Sequence, residues 1–351
     1  MSAASLSIDR VNHDGSGAIA RAHGAFISYP RLDALHREIS RCQQLSRLAN
    51  EPQCMALEGA TGTGKTTLIR HYAAAFPRTE TTTGSRIPVL YVETPSPIRP
   101  KWAASAILER LGDPAADRGT FDAMNARLVK LLGACGVELV ILDDFHHVID
   151  RETNRILALV SDWLKVLIKN SGVPFLVVGI DGQVERVLRA NEQLSRLFAA
   201  RETLAPFSWD TADADSVAQF GRFVLLAERA IGLPLTTALT RASLLGLIYD
   251  ATGGVVANVM NLLRYAQLLA LERGGSAVEI DDLRLAFEKR LAKHLAPRSN
   301  PFAVPSGSTG SRDGPARSAS VSRSEPRGAP GALDPVEAVT RRSRRRAHRP
   351  G

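Results

Sequence analysis

The run Gly59-Ala60-Thr61-Gly62-Thr63-Gly64-Lys65-Thr66 constrains this chain more than any other segment, because it satisfies G-x-x-x-x-G-K-[ST] at every fixed position. Glycines at that spacing let backbone N–H groups close around phosphate oxygens. Lys65 brings a cation to the β and γ phosphates, and the Thr66 hydroxyl is placed to ligate Mg²⁺. The flanks agree. Cys54-Met55-Ala56-Leu57 reads as a short strand before the loop and residues 67–76 as a helix after it, so the helix N-terminus points at the phosphates. Gly59, Ala60, Thr61, Gly62, Thr63, Gly64, Lys65, Thr66 and Thr67 are the expected contacts to a nucleoside triphosphate.

Glu138-Leu139-Val140-Ile141-Leu142-Asp143-Asp144 is an apolar run ending in two carboxylates. It has the form of a buried strand that delivers acids at its C-terminal end, where open α/β sheets bind ligands. This is a Walker B arrangement. Asp143 is expected to hold Mg²⁺ through water and Asp144 to polarise the attacking water. The two motifs together imply ATP and Mg²⁺ as cofactors and ATP hydrolysis as the chemistry, with Lys65 and Asp144 as catalytic residues.

Around the motifs, strand and helix patterns alternate. Residues 88–92, 137–142 and 175–178 read as strands, and 101–111, 121–132 and 154–168 as helices. A last short strand near 203–205 is expected to close the sheet. The alternation implies an α/β fold, a parallel sheet sandwiched by helices. Leu32, Leu35, Ile39, Leu45 and Leu48 recur at roughly helical spacing and imply an amphipathic helix leading into it. Beyond Trp209 helical periodicity takes over, at 216–231, 238–252 and 255–273, with a final helix after an acidic cap at Asp281-Asp282 and turns at Gly232-Leu233-Pro234 and Gly253-Gly254. The expected organisation is a flexible segment over 1–24, a nucleotide-binding domain over 25–208, a small all-α lid over 209–297 and a disordered tail rich in Arg, Ser and Pro over 298–351.

The net charge of +8 lies almost wholly in that tail, where eleven arginines from Arg298 onward face four acids. A nucleic-acid surface elsewhere must therefore be a local patch. The run Arg341-Arg342-Ser343-Arg344-Arg345-Arg346 suits DNA phosphates, an acidic partner or plain solvation. No apolar run approaches the roughly 20 residues that span a bilayer, and the polar start lacks a signal-peptide core, which implies a cytoplasmic protein with no membrane partner. Cys42, Cys54 and Cys135 lack C-x-x-C spacing and imply reduced thiols, Cys54 in the core. His146-His147 lacks the H-E-x-x-H spacing of a metal site. Trp102, Trp163 and Trp209 are expected in the core or at a domain junction.

Taken with residues 88–92, Gly136-Val137-Glu138 and Asn191-Glu192-Gln193, the two motifs make the chain resemble the TniB/TnsC family of AAA+ ATPases, over about residues 26–297. The resemblance implies a regulator of transposition that assembles with ATP, as a helical or ring homo-oligomer, on double-stranded target DNA without reading its sequence. It also implies a transposase and a TniQ-type adaptor as partners. DNA-backbone contacts are implied at Lys101, in Ile98-Arg99-Pro100-Lys101, and at Thr120, in Asp117-Arg118-Gly119-Thr120. A lysine, a hydroxyl and a helix N-terminus suit phosphate rather than bases, and equally fit a basic loop and an N-cap. Leu194-Ser195-Arg196-Leu197-Phe198 is similar to the Ser-Arg box of clamp-loader relatives, which points to Arg196 as the catalytic arginine supplied in trans, with Arg201 in reserve. Tyr29-Pro30-Arg31 matches the segment that borders the adenine pocket in relatives.

Three positions depart from the general AAA+ pattern. Asp144 stands where glutamate is usual, and a water misplaced by about 1 Å costs on the order of 100-fold. In Val178-Gly179-Ile180-Asp181, Ile180 stands where the family often has threonine, so the polar sensor is missing or moved to Asp181. In Gly253-Gly254-Val255-Val256-Ala257-Asn258, Asn258 takes the place of a sensor arginine, and none follows until Arg264. Together they imply slow hydrolysis that acts as a timer and is stimulated by assembly on DNA. Two other readings stay open: a loader ATPase similar to DnaC or IstB, and a signalling NTPase of defence that oligomerises without DNA.

Overall fold

The computed structural model describes residues 24–303 apart from 47, 50, 83, 97–98, 146–153, 294 and 296–298. The expected N-terminal segment before residue 24, the tail beyond 303 and the pair His146-His147 lie outside the described residues. The chain enters through helix α1 (Pro30–Leu45), whose Leu32, Leu35 and Ile39 are buried at helical spacing. Strand β1 (Met55–Glu58) leads through the glycine loop into α2 (Lys65–Ala74), followed by a hairpin of β2 (Thr79–Thr81) and β3 (Gly84–Arg86). Then come β4 (Val89–Glu93), α3 (Pro100–Leu111), α4 (Phe121–Ala134), β5 (Leu139–Asp143), α5 (Asn154–Ser171), β6 (Phe175–Gly179), α6 (Gln183–Arg189), α7 (Glu192–Leu197) and β7 (Ala200–Thr203). Four helices close the described part: α8 (Ala214–Ile231), α9 (Arg241–Thr252), α10 (Val256–Glu272) and α11 (Ile280–Arg290).

Five strands pair in the order β4-β5-β6-β1-β7, every pairing parallel. The strand that leads into the glycine loop is therefore separated from the acidic strand by β6 alone. Loop and acids leave the same, C-terminal edge of the sheet one strand apart, the place where such sheets bind ligands. β5 and β6 are buried along their whole length, as the central strands of a sheet covered on both faces must be. The edge strand β7 instead exposes Ala200, Arg201 and Thr203, and such polar edges deter pairing with another chain.

Alternation along the strands divides the apolar side chains into two cores. Met55, Leu57, Ile141 and Val178 face α1, α2 and the helices of 214–290. Ala56, Val140, Leu142 and Val177 face α3 to α7. The C-terminal helices thus share a core with one face of the sheet, so they are held against the elements that carry the glycine loop.

Several expectations change in detail. Helix α1 ends at Leu45, which leaves Leu45 51% and Leu48 85% exposed instead of on the apolar stripe. The closing strand is Ala200–Thr203, earlier than expected, because its pairing is fixed by register with Met55–Glu58. The hairpin β2–β3 had no signal beyond Gly84, since its strands are short and polar. Helix α11 is capped by Glu279, and Asp281 and Asp282 lie inside its first turn, where Asp282 completes a capping box. Trp163 is buried and donates to Asn125 Oδ1 at 2.9 Å, and Trp209 packs on Phe220 and Tyr249. Trp102, however, is 47% exposed, with the Arg99 guanidinium over its ring. Cys54 is buried and accepts from the Phe175 amide at 3.3 Å. Among the described residues no single helix is long and apolar enough to cross a membrane.

Candidate functional site

The glycine loop is shaped by close backbone approach. A Cβ on Gly59 would stand 2.3 Å from the Leu204 carbonyl oxygen, so no other residue fits there without moving the chain that follows β7. Gly62 has φ +82, and its carbonyl accepts from the Ala257 amide, in the first turn of α10, at 2.9 Å. A Cβ at Gly62 would lie 3.1 Å from both Val255 Cγ1 and Ala257 Cβ, which ties the loop physically to the C-terminal helices. Thr63 is buried, with its hydroxyl on the Ala60 carbonyl at 2.9 Å. Lys65 Nζ donates to the Gly59 and Ala60 carbonyls at 2.7 and 2.9 Å, which uses two of its three donors. Burial lowers the Lys65 pKa, and Asp181, Asp143 and Asp144 oppose that shift.

Asp143 is 1% exposed. Burial raises its pKa. Against that act the Tyr91 hydroxyl at 2.9 Å from Oδ2, the Thr66 hydroxyl, and the Asp144 amide at 2.9 Å from Oδ1. A buried carboxylate on which the hydroxyl of the phosphate loop acts is an all-oxygen donor set. It fits Mg²⁺, which keeps several waters and binds through one or two protein oxygens and substrate phosphates rather than a protein cage. Asp144 has φ +54 and is the one described non-glycine residue with positive φ. Aspartate tolerates that conformation better than glutamate, because its short side chain bonds locally. The backbone thus supplies a reason for the shorter acid.

These groups surround a cavity of about 510 Å³, within the range of small-molecule and cofactor sites. Thr61 to Thr67 and Asp144 form its polar side, and Gly179 and Ile180 carry it along the end of β6. Ile180 therefore lines the cavity while Asp181 is exposed and acts on Lys65 through its charge. Tyr29 borders the cavity as expected and packs on Phe207 and Phe223, and burial pushes its phenol up to about 12, so it stays neutral. Its neighbour Arg31 turns away to Glu202 and the Thr203 carbonyl, each at 2.8 Å.

The C-terminal helices close the opposite side. Asn258 spends its side chain on the Thr252 carbonyl at 3.0 Å and does not line the cavity. Ala257, Met260, Asn261 and Arg264 do, from one face of α10. The half-buried Arg264, whose pKa burial lowers, brings a cation to this wall two turns beyond the position where the sequence pattern looks for it. The i, i+3, i+4, i+7 spacing of those four residues was the available signal.

The remaining expected residues lie outside the cavity. Arg196 is exposed in the last turn of α7, with no ion pair to any described residue. Arg201, the reserve, is committed within the chain. It pairs with Glu185, donates from Nε to the Phe198 carbonyl at 3.0 Å and from Nη2 to Ser195 Oγ at 2.6 Å. Lys101 is exposed in the first turn of α3. Thr120 is the exposed N-cap of α4 and accepts from the Ala123 amide at 3.3 Å, which leaves its O–H as a donor.

With this geometry in place, three comparisons bear on identity. The family model for the bacterial TniB protein matches residues 19–208. No curated protein sequence matches. Among solved structures the chain is similar to the Aeropyrum pernix ORC2 protein in ADPNP–ADP complexes, at 19% identity over 79% of this chain and 72% of that one, with a TM-score of 0.56. It is similar to the Aeropyrum pernix ORC1 protein in complex with DNA, at 18% identity over 80% and 68%, with a TM-score of 0.52. It is also similar to Cdc6p from Pyrobaculum aerophilum, at 16% identity over 77% and 70%, with a TM-score of 0.56. At these identities the likeness shows the AAA+ fold. The family match adds the lineage: the chain belongs to the bacterial TniB family.

Proposed function

We propose that this chain is a cytoplasmic, ATP-dependent DNA-binding regulator of transposition, which oligomerises on double-stranded target DNA and engages a transposase, with a TniQ-type adaptor as a further partner. The observation that carries the nucleotide part is the convergence of Lys65, Thr66 and Asp144 at the ends of two parallel strands, on a cavity whose other wall is α10, with the buried Asp143 next to Asp144 at the end of β5. The DNA and transposition parts rest on membership of the TniB family.

In this reading residues 59–67 wrap the phosphates with backbone amides, and Lys65 neutralises charge between the β and γ groups. Thr66 and Asp143 would hold Mg²⁺, which when bound would supply Lewis-acid stabilisation of the phosphoryl oxygens. Asp144 orients the attacking water from a backbone that faces the cavity. Arg196, exposed at the end of α7, reaches the site of a neighbouring copy and completes it only in an assembly. Lys101 and Thr120 hold the DNA backbone. Turnover is slow in the free protein, because the site is incomplete there and Ile180 gives the end of β6 no polar group toward the water.

The test is to measure ATP affinity and turnover for the full chain, alone and with duplex DNA. Nucleotide binding in the free protein and turnover that rises on DNA support the reading. Undetectable ATP binding, or a Lys65→Ala protein with unchanged affinity, would remove it.

A further inference from the structure

The phenol of Tyr91 has no part in the function described so far, yet it touches the acid on which that function depends. β4 and β5 pair in parallel with Tyr91 opposite Ile141 and Glu93 opposite Asp143. Side chains two residues apart share a face, so Tyr91 and Asp143 are diagonal neighbours on the side of the sheet that packs α2. The Tyr91 hydroxyl lies 2.9 Å from Asp143 Oδ2 and 3.0 Å from Arg70 Nε. A guanidinium has donors and no acceptor. Tyr91 therefore accepts from Arg70 and gives its single hydrogen to Asp143.

Arg70 stands on α2 one turn beyond Thr66, on the helix that begins at the phosphate loop, and its Nη2 lies 3.3 Å from Glu93. On the other side of the carboxylate, Oδ1 accepts from the Asp144 amide at 2.9 Å, and the Thr66 hydroxyl acts on the same group. Each oxygen of Asp143 is thus held by a donor from a different element. The group cannot turn without breaking one of these bonds.

We infer that Tyr91, itself steadied by Arg70, is a positioning residue for the Mg²⁺ carboxylate: it fixes the orientation in which Asp143 meets a cation bound beside Thr66. This rests on the nucleotide reading and deepens it. Hydrogen bonds that orient a metal ligand are worth about 10–100-fold in metal affinity. The Asp144 amide still holds Asp143 and the Thr66 hydroxyl still acts on it, so the loss of Tyr91's hydroxyl belongs at the lower end, about tenfold.

The experiment compares the full-length wild type with Tyr91→Phe, which removes one oxygen and keeps the ring. Binding of a fluorescent ATP analogue is followed as Mg²⁺ is titrated, with parallel titrations of the analogue in EDTA. The expected result is a Mg²⁺ midpoint raised about tenfold in Tyr91→Phe, with affinity in EDTA unchanged. An unchanged midpoint overturns the inference. An equal loss of affinity with Mg²⁺ and in EDTA also overturns it, because the residue is then only a tether between β4 and α2. If Tyr91→Phe fails to fold, Arg70→Gln carries the test from the exposed end, with an expected rise of about threefold and an unchanged midpoint as the contrary outcome. A wild type that binds no analogue in either condition overturns the nucleotide reading itself, a result distinct from these.

Discussion

The two walls of the cavity are made in different ways. The wall from the sheet is polar: the loop after β1 and the start of α2 supply Lys65 and Thr66, and the end of β5 supplies Asp144, with the buried Asp143 beside it. The wall from α10 is mostly apolar, with Val256, Ala257 and Met260 and the single cation Arg264. A hydrogen bond from the Ala257 amide to the Gly62 carbonyl links them directly. The first wall has the groups for chemistry on a triphosphate. The second presents one helix face with a single cation.

The difference predicts separable defects, and the largest falls on the polar wall. Asp144→Asn keeps a residue that tolerates φ +54 and removes only the charge, so turnover should fall by about 10²–10⁴-fold while ATP affinity is retained. Assemblies on DNA should then persist longer. Steady-state phosphate release and equilibrium binding on the same preparation check it, and wild-type turnover by Asp144→Asn in assemblies would remove Asp144 from the water-activating role. Lys65→Ala comes next, with ATP affinity lowered by about 100-fold through the loss of charge-assisted bonds, and with a melting temperature close to wild type. Equal affinity would break the comparison at its polar side.

On the other wall the effects should be smaller and different in kind. Arg264→Ala should weaken ATP affinity by about tenfold, roughly one charge-assisted contact, and should lower the nucleotide dependence of assembly more than single-turnover hydrolysis. If it abolishes hydrolysis with binding intact, the two walls are not divided as described. The smallest effect is expected far from both. Lys101→Ala should flatten the log–log salt dependence of DNA binding by about 0.9, equally for unrelated sequences, and leave ATP binding in the free protein untouched. A sequence-selective loss would show that Lys101 does something other than hold phosphate.

The same division explains what the sequence made legible. The polar wall comes from short segments that are each contiguous in sequence, so spacing alone identifies residues 59–67 and the pair Asp143-Asp144. The parallel sheet follows from the buried runs that feed them. The second wall is assembled by packing. The spacing of Ala257, Met260, Asn261 and Arg264 puts them on one face of α10, but that this face turns to the cavity follows only from α10 beginning against Gly62. Tyr91 reaches Asp143 through strand register, which a single sequence does not state. Asp144 illustrates a subtler gap. Read as a residue it is a shortened catalyst, and only its φ of +54 supplies a backbone reason for an aspartate. The Ser-Arg box favours Arg196 over Arg201, and the structure adds that Arg201 pairs with Glu185 and Ser195 within the chain. The helix α1 stripe failed at Leu45 and Leu48 because periodicity does not show where a helix stops.

The central claim is that ATP in this cavity drives assembly of the chain on duplex DNA. Its most direct test is electron microscopy of the full-length protein with duplex DNA and, in parallel, a non-hydrolysable ATP analogue, ADP or no nucleotide. Ordered assemblies should form on DNA with the analogue, fail with ADP or without nucleotide, and be absent for Lys65→Ala in every condition. Assemblies of equal extent with and without nucleotide, or ordered assemblies with the analogue that do not require DNA, would contradict it.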